Sequence, residues 1–364
     1  MSSGSKLREN TTTQLTTMTE FNTSVQNRSE IYMMLDIVNA NGNGNPLSPD
    51  NMPRIDPHTG HCYITDVRLK RFIRDQLVDD GESVYVKMFE NEDGTTATRD
   101  DLLTDLIAEE LDIEADEIDE TTLDALLDNT IDIRYFGATM SFSGSNDHME
   151  ALEEHYGNPS IQGPVQFAPG QSLNAVQLND EFAGLSTVIA SGEGKGQGTF
   201  AQDNRIKYGM FAFNGIVNEN VAETSRLTEE DVRKLDTLCW RAVKNQGLSR
   251  SKYGQEPQLY IRVEYDTDNF HIGRMNELFQ VDENLSKDDL EMRSSADCIV
   301  AVDDFLTTLA NNSHHVDSVN VHAGHLCHLS IDGEERSVEE FYDALRTAVG
   351  HDSVNVVDVY DSTE

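Results

Sequence analysis

Between Glu30 and Val38 the sequence runs Glu-Ile-Tyr-Met-Met-Leu-Asp-Ile-Val, a nearly continuous apolar stretch that ends in Asn39-Ala-Asn-Gly-Asn-Gly-Asn-Pro46. A run of this kind has no solvent face, so it predicts a central strand covered on both sides. The Asn/Gly cluster behind it predicts a loop at the strand's end. Whatever the rest of the chain does, it must wrap this segment.

The next segment is the basic part of an acidic chain. From residue 54 to 74, Arg54, Arg68, Lys70, Arg71 and Arg74 stand against Asp56 and Asp66, a net +3, while the 364 residues together carry 66 acids, 27 Lys plus Arg and a formal charge of −39. A chain this acidic keeps a basic patch where an anion docks. Residues 65–74, Thr-Asp-Val-Arg-Leu-Lys-Arg-Phe-Ile-Arg, open a helix of about 14 residues with Thr65 or Asp66 as N-cap. At about 100° per residue, Leu69, Phe72, Ile73 and Leu77 share one arc, and Arg68, Lys70, Arg71 and Arg74 the opposite one. One face is expected to pack and the other to meet a partner.

The remaining charge has a bland explanation. Only nine of the cations are Lys, and an acid-rich, Lys-poor surface suits a protein working in high salt, where self-repulsion is screened. Residues 1–28 are rich in Ser, Thr and Asn and lack the apolar core of a signal peptide, so a disordered tail is expected. No window approaches the ~20 apolar residues of a membrane span. Cys62, Cys239, Cys298 and Cys327 are scattered without CxxC spacing, which indicates neither a disulfide framework nor a zinc ribbon and fits a reduced, cytoplasmic protein.

Further along, residues 99–128 are acidic, with Leu102, Leu103, Leu106, Ile107, Leu111, Leu123, Leu126 and Leu127 at helical spacing, and residues 81–129 are read as an acidic helical insertion. Thr130 to Ser143 alternates with period two and predicts a strand. Gln162 to Phe167 suggests a strand and turn, Lys207 to Val217 and Leu259 to Tyr265 two more strands. Thr228 with Asp231 predicts a capping box for a helix that stops at Gly247. Helices are expected near Ser295 to Leu309 and over Val338 to Val349. The fold class is α+β, with an order of elements compatible with a ferredoxin-like or RRM-type sandwich over 29–80 and 130–364.

No catalytic or metal signature stands out. Gly192 to Gly198 lacks the Gly-Lys-Ser/Thr ending of a phosphate loop and reads as a flexible hairpin tip. His314, His315, His322, His325, Cys327 and His328 match no zinc module, and His58, His61 and Cys62 are read as loop residues. Asp36 is one acid among 66. Phe136, Phe142, Phe200 and Phe213 are available as aromatics, without the stacking signature of an ordinary RRM.

Read together, Asn39 to Pro46, Pro53-Arg-Ile-Asp-Pro-His-Thr-Gly60, Thr65 to Arg74, Asp132-Ile-Arg-Tyr-Phe-Gly-Ala138, Gly163-Pro-Val-Gln-Phe167 and Gly198-Thr-Phe-Ala201 resemble the backbone subunit of the type I CRISPR interference complex, Cascade, most closely the I-B subtype. The first loop departs from the family's usual Asn-Pro-Asn-Gly-Asp, with Gly42 and Asn45 at the Pro and Asp positions. The resemblance implies an RRM-like palm with a helical insertion and a β-hairpin thumb near 178–207, many copies coating a guide RNA, and no catalysis or cofactor. Its implied partners are guide RNA, target DNA paired through the guide, further copies of the chain and other Cascade subunits, with no membrane. The residues expected on RNA are Asn39, Asn41, Asn43, Gly44, Arg54, Arg68, Lys70, Arg71 and Arg74 from the loop and helix. Arg134, Phe136, Gln171, Ser172, Lys195, Phe200, Arg205 and Lys207 complete the set. Two other classes compete: an endoribonuclease acting on CRISPR-related RNA, and an acidic scaffold without nucleic acid, which the +3 segment disfavours.

Overall fold

The computed structural model describes residues 23–45, 47–48, 51–87, 97–142, 146–180, 185–188, 199–202, 204–246 and 252–360. Its strands are β1 (Ser29–Ala40), β2 (Arg54–Ile55), β3 (Cys62–Ile64), β4 (Gly137–Thr139), β5 (Ser160–Gln162), β6 (Val165–Phe167), β7 (Gly170–Ser172), β8 (Leu185–Val188), β9 (Thr199–Gln202), β10 (Ile206–Val217), β11 (Gln255–Tyr265), β12 (Gln280–Val281), β13 (Val300–Ala301), β14 (Val316–Ala323), β15 (Leu329–Ile331), β16 (Glu334–Arg336) and β17 (Val354–Val356). The α-helices are α1 (Asp66–Asp79), α2 (Arg99–Asp105), α3 (Thr122–Asn129), α4 (Ile131–Phe136), α5 (Asp147–Tyr156), α6 (Glu219–Ser225), α7 (Glu229–Gln246), α8 (Asp303–Asn311) and α9 (Val338–Val349).

β1 does run through the middle of the main sheet, whose order is β17-β14-β11-β1-β10-β7-β3-β2, with β6 also on β10. Its neighbours β10 and β11 are both antiparallel to it. Side chains alternate across a strand, so Ile31, Met33, Leu35 and Ile37 join one buried core with Leu69, Phe72, Ile73 and Leu77 of α1 and Leu235, Leu238 and Val243 of α7. Tyr32 and Met34 enter a second core with Tyr208 and Met210 of β10 and with Phe279, Phe305 and Phe341 from the C-terminal part. The apolar run is continuous because both faces of the sheet are covered.

The C-terminal part builds a small second sheet, β12-β13-β15-β16, beside α8 and α9. α9 lies where the sequence places it. The other expected helix starts later: Ser295–Asp297 is one 3-10 turn, β13 follows, and α8 begins at Asp303. Cys298 and Val300 are fully buried in the second core, and Val300 pairs with β12 and β15, so extended backbone wins there.

The acidic stretch folds into α2, a five-residue π-helical turn over Leu106–Glu110, a 3-10 turn over Ala115–Glu117, and α3. With α5 it encloses a third core of Tyr85, Leu103, Leu106, Ile107, Leu126, Phe142, Met149 and Leu152. The strand expected over Thr130 to Ser143 is a correction: the segment is α4 followed by the short β4. Its alternation comes from burial on two sides, because Ile131 and Tyr135 enter the first core while Ile133 enters the third. Gly137 ends the helix at φ +70°, where a Cβ would lie 2.2 Å from the Ile161 carbonyl oxygen.

α7 has the reciprocal box expected, with Thr228 N donating to Asp231 Oδ2 at 3.0 Å and Asp231 N to Thr228 Oγ1 at 3.1 Å. Its stop at Gly247 and the glycine tip 192–198 lie outside the described residues. β8 and β9 pair antiparallel on either side of that tip, Leu185 opposite Gln202 and Val188 opposite Thr199.

Candidate nucleic-acid interface

The Asn/Gly loop is built by its own side chains. Asn39 takes a left-handed backbone, φ +50°, while its Oδ1 accepts from Asn179 Nδ2 at 2.6 Å and its carbonyl from Arg205 Nη1 at 2.9 Å. Asn41 is buried and donates through Nδ2 to the carbonyls of Asn51 and Asn204. Asn43 Oδ1 accepts from both the N–H and the hydroxyl of Thr65, each at 2.9 Å, and Thr65 in turn caps α1 at Arg68 N. Gly42 sits where a Cβ would meet Ile37 Cδ1 at 2.5 Å, so the loop can lie close only without a side chain there.

A second segment clamps the loop from behind. Lys252 Nζ donates to the carbonyl of Asn41 and, at 2.9 Å, to that of Gly42. Two residues on, the Gly254 carbonyl accepts Val38 N at 2.8 Å. Burial, and then the charge of Arg68, lower the Lys252 ammonium to about 7.

The cations around the loop divide into two sets. Lys70 bonds Gln166 Oε1 at 2.9 Å and lies 3.8 Å from Asp66, Arg71 pairs with Asp75 at 2.7 Å, and Arg74 with buried Asp132 at 2.8 Å. Lys70 and Arg74 also lie over the Phe136 ring, 5.4 and 5.0 Å from its centre. The sorting of α1 into apolar and basic arcs stands, but these three side chains are held by neighbours and none points freely outward. Arg54 and Arg68 differ: among the described residues neither side chain has a hydrogen bond or an ion pair, and the Nε of each is buried without a partner. The Arg68 guanidinium rests on the Phe72 ring at 4.6 Å. Lys207, half-buried on β10, has no ion pair among the described residues, and Arg205 spends one nitrogen on the loop.

Other expected residues lie elsewhere. Arg134 is tied to Asp231 through two bonds of 2.8 and 2.9 Å and to the carbonyl of Leu127, Phe136 is buried, and the Ser172 hydroxyl accepts Cys62 N and donates to the Asn174 carbonyl. These three are structural and leave the candidate surface. Gln171 is exposed on β7, between Tyr63 and Ala212. Phe200 belongs to β9, Gly44 bridges to Pro53, and Lys195 is outside the described residues. Asn179 and Lys252 join the site without a motif to announce them: Lys252 follows Arg250 by two residues, and only the scarcity of Lys could have marked it. Among the described residues no three His, Cys, Asp or Glu side chains are grouped to hold a metal ion. His322 instead meets the Val357 carbonyl and His328 meets Glu335.

Comparison with known proteins bears on this arrangement. The family model described as CRISPR-associated protein Cas7 matches residues 27–303. "CRISPR-associated protein Cas7" of Haloferax volcanii is 44% identical over 340 residues, covering 92% of this chain and 97% of that protein. A solved chain of "CRISPR RNA-guided surveillance complex, pre-nicking" is similar with a TM-score of 0.38 and 11% identity, over 88% of this chain and 100% of that one. One of "CRISPR RNA-guided surveillance complex" has a TM-score of 0.37 and 11% identity, over 81% and 88%. On the extent of the family match and of the Haloferax alignment, this chain belongs to the CRISPR-associated Cas7 family.

Proposed function

We propose that this protein is a non-catalytic backbone subunit that multimerises along CRISPR guide RNA and presents it for pairing with target DNA, beside other subunits of the interference complex. The observation that carries the reading is the pair Arg54 and Arg68, whose side chains have no carboxylate partner among the described residues, set with Lys207 about a rigid loop that Arg205 and Lys252 hold, in a chain of net charge −39. Elsewhere most described cations already face an acid, as Arg134 faces Asp231 and Arg262 faces Asp236. Phosphate contacts position a strand without reading its sequence, as a subunit repeated along a guide requires.

Two finer readings accompany it. The order β11-β1-β10 followed by β6 and β7, all antiparallel, with α1 after the first strand and α7 between β10 and β11, supports an RRM-like palm. The β8–β9 hairpin supports a thumb, with Lys207 just behind it on β10.

Nucleic acid that co-purifies with the protein is the direct test. Short RNAs of guide length are expected, and the double variant Arg54→Ala, Arg68→Ala should retain at least about tenfold less, since each charge-assisted contact contributes roughly 1.5 to 3 kcal/mol. Circular dichroism should be unchanged, because neither side chain anchors the fold. A wild-type protein free of RNA would end the proposal. Progressive shortening of added precursor RNA would favour the endoribonuclease instead.

A further inference from the structure

The three most exposed large apolar side chains of the described residues are Leu47 at 91%, Tyr253 at 76% and Val67 at 68%. All three sit on segments fastened to the Asn/Gly loop. Leu47 N donates to Asn45 Oδ1, Val67 lies in the turn of α1 whose cap Thr65 is held by Asn43, and Tyr253 follows Lys252. The backbone of Tyr253 is fixed on both sides: Lys252 grips the carbonyls of Asn41 and Gly42, Gly254 accepts Val38 N, and Gln255 N closes a turn on the Lys252 carbonyl at 3.2 Å. Gly254 makes that turn possible at φ +112°, where a Cβ would lie 2.2 Å from the Val38 carbonyl oxygen. A rigid turn therefore holds an aromatic ring out in water, one residue from the Lys252 clamp on the loop.

We infer that Tyr253, with Leu47 and Val67 on the neighbouring segments, is a stacking platform for an unpaired base of the bound RNA. This rests on the RNA-binding reading and adds a contact to the base face that phosphate-holding cations do not make. An aromatic ring beside a positive surface is the combination by which proteins hold single strands irrespective of sequence, since every base has a π-face.

The test uses the full chain and guide-length RNA with 2-aminopurine in place of successive adenines, comparing wild type, Tyr253→Phe and Tyr253→Ala. Wild type and Tyr253→Phe should quench the probe at a subset of positions. Tyr253→Ala should lose that quenching and bind about tenfold more weakly, as expected for one lost stacked base per copy. If wild type binds RNA and Tyr253→Ala quenches and binds equally well, the platform is refuted while the RNA-binding reading survives. If wild type fails to bind RNA at all, the reading beneath it falls. A Tyr253→Ala protein that keeps full quenching yet no longer forms multimers overturns the platform in favour of a contact between copies.

Discussion

Asp36 shows what burial does to a single residue. It lies within the apolar run of β1, is 3% exposed, and its Oδ1 has no hydrogen-bond partner. Burial raises its pKa from 3.8 to about 7, with the Gln258 side chain easing the shift and the charge of Glu256 adding to it. Between those two values the native state binds more protons than the unfolded state, so stability falls as pH rises through the window and the full penalty applies above it. Asp36→Asn keeps the shape and removes the titration. Its advantage should be slight near pH 4 and reach on the order of 4 kcal/mol near pH 8. Thermal melts of both proteins across that range provide the check, and an unchanging difference between them would contradict the account.

At the scale of elements, α4 is the piece that ties others together. Asp132 accepts Tyr85 N at 2.8 Å, Val86 N at 3.2 Å and Arg74 Nε at 2.8 Å, joining α1 to the chain that leads into the acidic helices. Removing the carboxylate leaves a partly buried guanidinium and two N–H groups without partners. Asp132→Ala should therefore lose about 3 to 5 kcal/mol by chemical denaturation, and a loss under about 1 kcal/mol would show that water replaces it freely. Arg74→Ala should disturb the same joint, so it reports on folding before it reports on RNA.

The elements that could be read in the sequence are those whose signals are local. β1 has its apolar run, α1 its N-cap Thr65, α7 its Thr228–Asp231 box, and α9 its Ser337–Glu340 box. α4 escapes such a reading because two separate cores imitate strand alternation. Which cations stay free is only partly legible: Asp66 and Asp75 stand four residues from Lys70 and Arg71, but Asp132 is 58 residues from Arg74 and Asp231 97 from Arg134. The clamp from Lys252 onto Asn41 spans 211 residues and leaves no mark in either segment alone.

Over the whole molecule, charge and coverage act together. With a formal −39 on 364 residues, self-repulsion opposes the compact state, and salt near 1 M shortens its reach to about 3 Å. The melting temperature should climb steadily between roughly 0.1 and 2 M KCl, and a flat or falling curve would refute repulsion as the main force opposing the fold. Coverage limits where a strand can lie. Both faces of the central sheet are packed, so bases cannot spread over it as they do on an open RNA-binding sheet.

The loop from Asn39 to Asn45 is held by Thr65, Asn179, Arg205 and Lys252 before any ligand arrives. Fixing a backbone costs about 1 to 2 kcal/mol of conformational entropy per residue. Here folding has already met that cost. In the proposed array each copy would thus present its loop in final form, and the entropy lost on association would fall on the strand being captured.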